Sequence, residues 1–279
     1  MAWLQAVGRD GLLGIPAAWL PFAGFWLLLF LLAGAELASP LHRRAASPPA
    51  RLVANFGMGI LNALIFSTLP LSAVLAADWA AARGFGLLHL VSLPPVAAFI
   101  VSLFAWSLAG YALHVLAHHL PWLWRIHRVH HADTLFDLST GLRHHPLEPL
   151  YTLAVLAAAA VLLGLDPLAI AIYSILAGIF ALWTHANIRL PARADRALGW
   201  LLMTPAAHQI HHSAVQHETD SNYGDVLVLW DRLFGTWRAV PAEALMTMRL
   251  GLGARFDGEA GQLLAQLRLP LAPSARSEA

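Results

Sequence analysis

Apolar residues run in long blocks along this chain. They cover about residues 12–37, 52–77, 87–111, 150–165 and 168–183. A helix needs about 20 mostly apolar residues to cross a bilayer, so the first three blocks predict three membrane spans. Pro16 and Pro21 fall near the start of the first, where proline is tolerated. That block is long and carries no small-residue cleavage signal, so a retained span is expected rather than a signal peptide. Pro94 and Pro95 mark the entry of the third span or a kink in it. The last two blocks are short for full crossings and are separated by Asp166 and Pro167. They predict a hairpin of tilted spans, with a re-entrant pair as the alternative.

Polar positions set a direction. The loop at 39–50 carries His42, Arg43 and Arg44, with Arg51 just beyond it, whereas the next loop has only Arg83. Cytoplasmic loops are enriched in Lys and Arg, which puts the first loop inside and brings the third span back to the same face. A hairpin leaves and returns, so everything polar after residues 111 and 185 gathers at the cytoplasmic side. From Arg189 charges become frequent and turn signals appear, and the tail after Pro270 is expected to be disordered. The division expected is N-terminal spans over 1–110, a histidine-rich region over 111–240 that includes the hairpin at about 150–185, and a C-terminal extension over 241–279.

Composition agrees with lipid as solvent. The 279 residues are 58% hydrophobic and only 12% charged, about half the charged share of a soluble domain. A net charge of +1 implies no nucleic-acid partner. The absence of cysteine rules out disulfides and thiolate ligands.

Most of the 15 histidines lie between His114 and His212, in three clusters. They are His114 and His118; His127, His130 and His131; and His208, His211 and His212. On a helix, i to i+3 and i to i+4 spacings share a face. Neutral imidazole binds iron, zinc and copper, and eight such groups exceed one tetrahedral site. They suit two ions in one pocket. His145 and His185 are further candidates, as ligands or as groups orienting a ligand. His119 and His144 fall on other faces, and His42, His89 and His217 sit off the pattern. Asp133, Asp137, Glu148, Asp225 and Asp231 are the acids available to hold the outer nitrogens of ligating imidazoles, with helix capping or Arg pairing equally open for each and Asp231-Arg232 reading as a structural turn. Trp122, Trp124, Trp200, Trp230 and Trp237 are expected to form an interfacial aromatic belt.

The stretch from Tyr111 to His131 resembles the membrane sterol desaturase and fatty acid hydroxylase superfamily. So do residues 143–148, 185–187, 204–213, 222–224 and 230–236. Val115 stands where members often have Arg, Ala132 where Ser is frequent, and His144 is an additional histidine. The resemblance implies an all-α integral membrane bundle with a histidine-rich di-metal cap on its cytosolic face. It also implies a non-haem di-iron oxygenase (zinc being possible in isolated protein) that hydroxylates or desaturates a lipid with O2. Its eight metal ligands would be His114, His118, His127, His130, His131, His208, His211 and His212, with His145 and His185 matching further histidines of the pattern. No flavin, dinucleotide or haem motif is present, so electrons would come from a separate reductase, ferredoxin or cytochrome. The expected setting is a bacterial inner membrane. A membrane metal transporter, or a metal-binding protein without oxygenase activity, is the alternative.

Overall fold

The computed structural model describes residues 20–42, 47–69 and 72–273. Those residues are helical with isolated β-bridges only. Helix α1 spans Leu20–Ala38, α2 Pro49–Thr68, α3 Ala73–Ala81 and α4 Pro95–His119. Helix α5 follows at Pro121–His131, α6 at Leu147–Leu163 and α7 at Pro167–His185. Three stretches are long and apolar enough to cross a membrane: Pro49–Ala81, Pro95–His119 and Pro167–His185. Leu27, Phe30, Leu31, Ile60, Leu64 and Ile175 are all exposed on these helices and on α1. Exposed apolar faces of that extent mark contact with lipid or a partner.

The structure corrects the expected spans in three places. The second block holds two helices, α2 and α3. Leu69 before Pro70 is extended, as a residue preceding proline prefers, and Ser72 caps α3 by accepting from the Leu75 amide. The third span begins at Pro95, at the first helical position, where its fixed φ and missing N–H cost nothing. Residues Leu87–Leu90 form a separate 3₁₀ turn. The last two blocks turn at Gly164 and Asp166 as expected, yet α6 and α7 each pack on α3 and α4 instead of zipping together. Of the first expected span, residues 12–19 lie outside the described residues, as do Arg43 and Arg44.

One end of the bundle gathers the polar residues. The C-terminal ends of α4 and α7 and the N-terminal end of α6 meet there. Arg51 of α2 reaches Asp133 beyond α5. Glu36 of α1 accepts from the amides of Leu138 and Asn187. The C-terminal segment is tied down as well. Leu263–Arg268 packs on α2, and Leu269–Leu271 on α5. Arg125 and Arg128 donate to carbonyls between Leu269 and Pro273. Disorder expected after Pro270 therefore does not begin there. Residues 274–279 lie outside the described residues.

Candidate metal centre

Four helix ends supply nine imidazoles. The last turns of α4 present His114 and His118, and α5 presents His127, His130 and His131. His185 is the last residue of α7. A short helix, Pro205–His211 (α8), is capped by Thr204, whose hydroxyl accepts from the Ala207 amide; it presents His208 and His211, with His212 following. Their nitrogens fall into two groups, each with ligand atoms within 4.8 Å of one another: His114, His118, His127, His131 and His211; and His130, His185, His208 and His212. Neighbours in a helix point about 100° apart. Each adjacent pair is therefore divided, His131 from His130 and His211 from His212. The groups adjoin, since the rings of His131 and His212 stack at 4.6 Å.

Five of the outer nitrogens are held by strong acceptors, whereas those of His208 and His212 make no protein hydrogen bond, and this determines what the inner ones can do. Nδ1–H of His114 donates to the Tyr223 carbonyl at 2.7 Å, and that of His127 to Glu148 Oε1 at 2.7 Å. His130 donates to the Arg143 carbonyl at 3.2 Å and His185 to the Ala181 carbonyl at 2.6 Å. His211 donates to the Ser221 carbonyl at 2.8 Å. A carbonyl oxygen only accepts, so His114, His130, His185 and His211 carry a proton on Nδ1, and in the neutral ring a lone pair on Nε2. Yet Nε2 of His130 and His185 lie 3.1 Å apart. Two lone pairs at that distance repel unless a cation lies between them. Nitrogens held at about 2.1 Å from one ion would sit about 3.0–3.4 Å apart. Nε2 of His118 and His211 are buried and make no protein hydrogen bond. Burial, reinforced by neighbouring imidazoles, holds His130, His131, His208, His211 and His212 well below the ordinary histidine pKa. They are therefore neutral, the metal-binding form. Both groups fit a metal ion.

Comparison with known proteins agrees. The profile of the fatty acid hydroxylase family matches residues 99–236, which hold all nine histidines of the two groups. The chain belongs to the fatty acid hydroxylase family. It is 33% identical over 170 residues to an ornithine lipid hydroxylase of Rhizobium tropici, a match covering 60% of this chain and 48% of that protein. It is 31% identical over 127 residues to the alkylglycerol monooxygenase of Danio rerio, covering 46% and 27%. A cholesterol 25-hydroxylase-like protein of Danio rerio is 32% identical over 127 residues, covering 44% and 48%. The matches thus span about half or less of these relatives. No solved structure matches.

Within this family frame the structure sorts the remaining candidates. His185 stands inside the second group. His145 does not join either: its Nε2 faces the Leu267 carbonyl and its Nδ1 accepts from the Leu147 amide at the start of α6. Three histidines set aside on pattern are engaged. His144 stacks on His130 with ring centroids 4.3 Å apart and faces Glu148 Oε2 at 3.3 Å. His119 meets the Tyr223 hydroxyl. His42, buried, bonds Gln209 between His208 and His211. Of the acids, only Glu148 holds an imidazole of the two groups; Asp220, which spacing did not single out, adds a contact of 3.3 Å to His118. Asp133 and Asp137 pair with Arg51. Asp231 accepts from the Tyr223 and Gly224 amides. It thereby fixes the turn whose Tyr223 carbonyl orients His114. Asn222, at φ 52°, completes that turn by bonding the Ala207 and Arg238 carbonyls. Trp122 and Trp200 are exposed as a belt requires, but Trp124 is buried against His118 and His131.

One glycine governs the seat of His185. A Cβ on Gly141 would lie 2.4 Å from the Ala181 carbonyl oxygen and 3.2 Å from His185 Nδ1. That carbonyl is the acceptor for the same Nδ1. Gly141→Ala is expected to displace α7 and unseat His185. The stability cost should be about 1–3 kcal/mol, with tighter-bound metal lost from one group only. Thermal melting and metal analysis of the purified variant check this.

Proposed function

We propose that this chain is a membrane lipid hydroxylase with two iron ions. His114, His118, His127, His131 and His211 hold one, and His130, His185, His208 and His212 hold the other. The observation that carries the reading is a cavity of about 350 Å³ between α4, α6 and α7. It is lined at one end by His114, His127, His130, His185 and His208, and at the other by Trp106, Leu156 and Tyr173. An apolar slot ending on metal-binding imidazoles suits a hydrocarbon chain.

Bound there, iron supplies O2 activation and removal of hydrogen from an unactivated carbon. Overall, a C–H bond, O2, two electrons and two protons give an alcohol and water. The protein's part is to position and to enclose. Glu148 and the carbonyls of Tyr223, Arg143, Ala181 and Ser221 fix the imidazole tautomers, and such outer partners also raise ligand basicity. The apolar walls exclude water from the reacting carbon. Hydroxylation is favoured over desaturation because the relatives carry hydroxylase and monooxygenase names. A separate reductase, ferredoxin or cytochrome delivers the electrons. Arg43 and Arg44 support a cytoplasmic site in an inner membrane; Arg51 drops out of that argument, because it is buried in an ion pair. A transporter would place its ligands near the membrane midplane inside broken helices, whereas these groups gather at helix ends.

The test is direct. Protein purified from iron-supplemented cells should carry about two irons per chain, as one site per group requires. Lipids of cells expressing it should gain one oxygen by mass spectrometry. Lipids unchanged by an iron-loaded protein supplied with a working reductase would overturn the reading.

A further inference from the structure

Asp225 is the terminus of a directed chain of hydrogen bonds in the cavity wall. Trp230 Nε1–H donates to Ser107 Oγ at 3.0 Å, leaving the serine proton for Tyr173 Oη, 2.7 Å away. Tyr173 then donates to Asp225 Oδ1 at 2.6 Å. The Val226 amide donates to the same oxygen. Every proton in the chain points toward the carboxyl group. Its other oxygen, Oδ2, meets no side-chain donor among the described residues. It lies opposite Gly110, 3.8 Å from where a Cβ there would sit, and the residue lines the cavity. No Lys, Arg or His pairs with Asp225 among the described residues. An acid facing an apolar cavity without a cation or a full set of donors is costly. It gains most from a ligand that brings a donor.

We propose that Asp225 is a specificity residue that receives a hydrogen-bond-donating group of the lipid substrate, an amine in preference to a hydroxyl, and rejects esters. This rests on the hydroxylase reading. A protonated amine supplies both the missing donor and the missing positive charge, so it binds best. Burial raises the Asp225 pKa, and a cationic partner would restore the carboxylate. The placement also measures the substrate. Gly110 and Ser107 lie four and seven residues before His114, about 6–10 Å along α4 at 1.5 Å per residue. A chain anchored at Asp225 presents carbons only a few bonds from its polar group to the imidazole groups. Oxygen should enter near the polar end, not at the terminal methyl.

The experiment uses the iron-loaded full chain in lipid nanodiscs with tritiated hexadecylamine, hexadecanol and methyl palmitate. Wild type is expected to bind the amine and the alcohol at least about tenfold more tightly than the ester, the effect of one hydrogen bond to a charged group. Asp225→Asn presents an amide N–H to the cavity and keeps an acceptor for Tyr173. It should compress that preference below about threefold, with unchanged iron content. Wild type without the preference, or Asp225→Asn retaining it, overturns the proposal. If the variant fails to fold, the wild-type comparison of the three probes decides alone. Oxygen inserted into all probes without binding preference sinks this site and spares the hydroxylase reading. Preference without oxygen insertion into any probe does the reverse.

Discussion

Replacing His130 by alanine is expected to eliminate oxygen insertion and to lower bound iron from about two ions per chain to about one. His130 is one of only four imidazoles in its group, and its Nε2 lies 3.1 Å from that of His185. Three ligands remain after the change, with a void where a buried ring also stacked on His144. His211→Ala should behave differently in one respect. Its group has five imidazoles, so four remain, enough for a tetrahedral site. Metal should be held more weakly yet not lost, while product formation disappears because His211 Nε2, which makes no protein hydrogen bond, is aimed into the centre. Iron analysis and lipid mass spectrometry on both variants separate the two outcomes. Full turnover with normal iron in both would leave the imidazole groups without a catalytic role.

The spacing of the histidines exposed eight of the nine grouped imidazoles, because i to i+4 geometry is a local property of helices. It could not tell which ion each would serve. That division follows from the crossing of α4, α5, α7 and α8, and it splits residues adjacent in sequence. His145 and His185 looked equivalent as isolated histidines. They differ because Gly141 lets the backbone of α7 approach closely and the Ala181 carbonyl turns His185 inward, whereas His145 serves the N-terminus of α6. Hydropathy located the apolar stretches but not their internal order. Extended Leu69 interrupts the second block, and α3 and α4 take the space between α6 and α7. Asp225 read as one spare acid among several. Its role depends on Tyr173, 52 residues earlier in the chain, and no local pattern records that meeting.

Arg51 is where local reading and tertiary structure differ most, and its loss should have the largest effect on stability. Loop arginines report membrane orientation, but this one is buried, with 3% of its surface exposed, against Asp133 with 1%. Its Nε and Nη2 grip the two carboxylate oxygens at 2.6 and 2.8 Å, and Nη1 donates to Asp137 at 2.6 Å. Asn55 and Thr140 complete the shell of Asp133. Burial alone would raise the Asp133 pKa, but the guanidinium groups of Arg51 and Arg143 outweigh it and hold the carboxyl below its ordinary range. Arg51→Ala strands that buried carboxylate and is expected to cost about 3–5 kcal/mol. Arg51→Lys should rescue little, because an ammonium cannot reproduce the two-pronged grip. Asp133 follows His131 by two residues, so iron retention should fall with the melting temperature. The double variant Arg51→Met with Asp133→Leu removes both charges and should recover part of the loss, limited by buried Arg143, which then loses the carboxylate beside it. Melting wild type, Arg51→Met, Asp133→Leu and the double variant together forms a cycle that isolates the pair. A single Arg51→Ala variant that melts like wild type would mean that Arg143 alone can hold Asp133, and that α2 reaches the metal end without anchoring it.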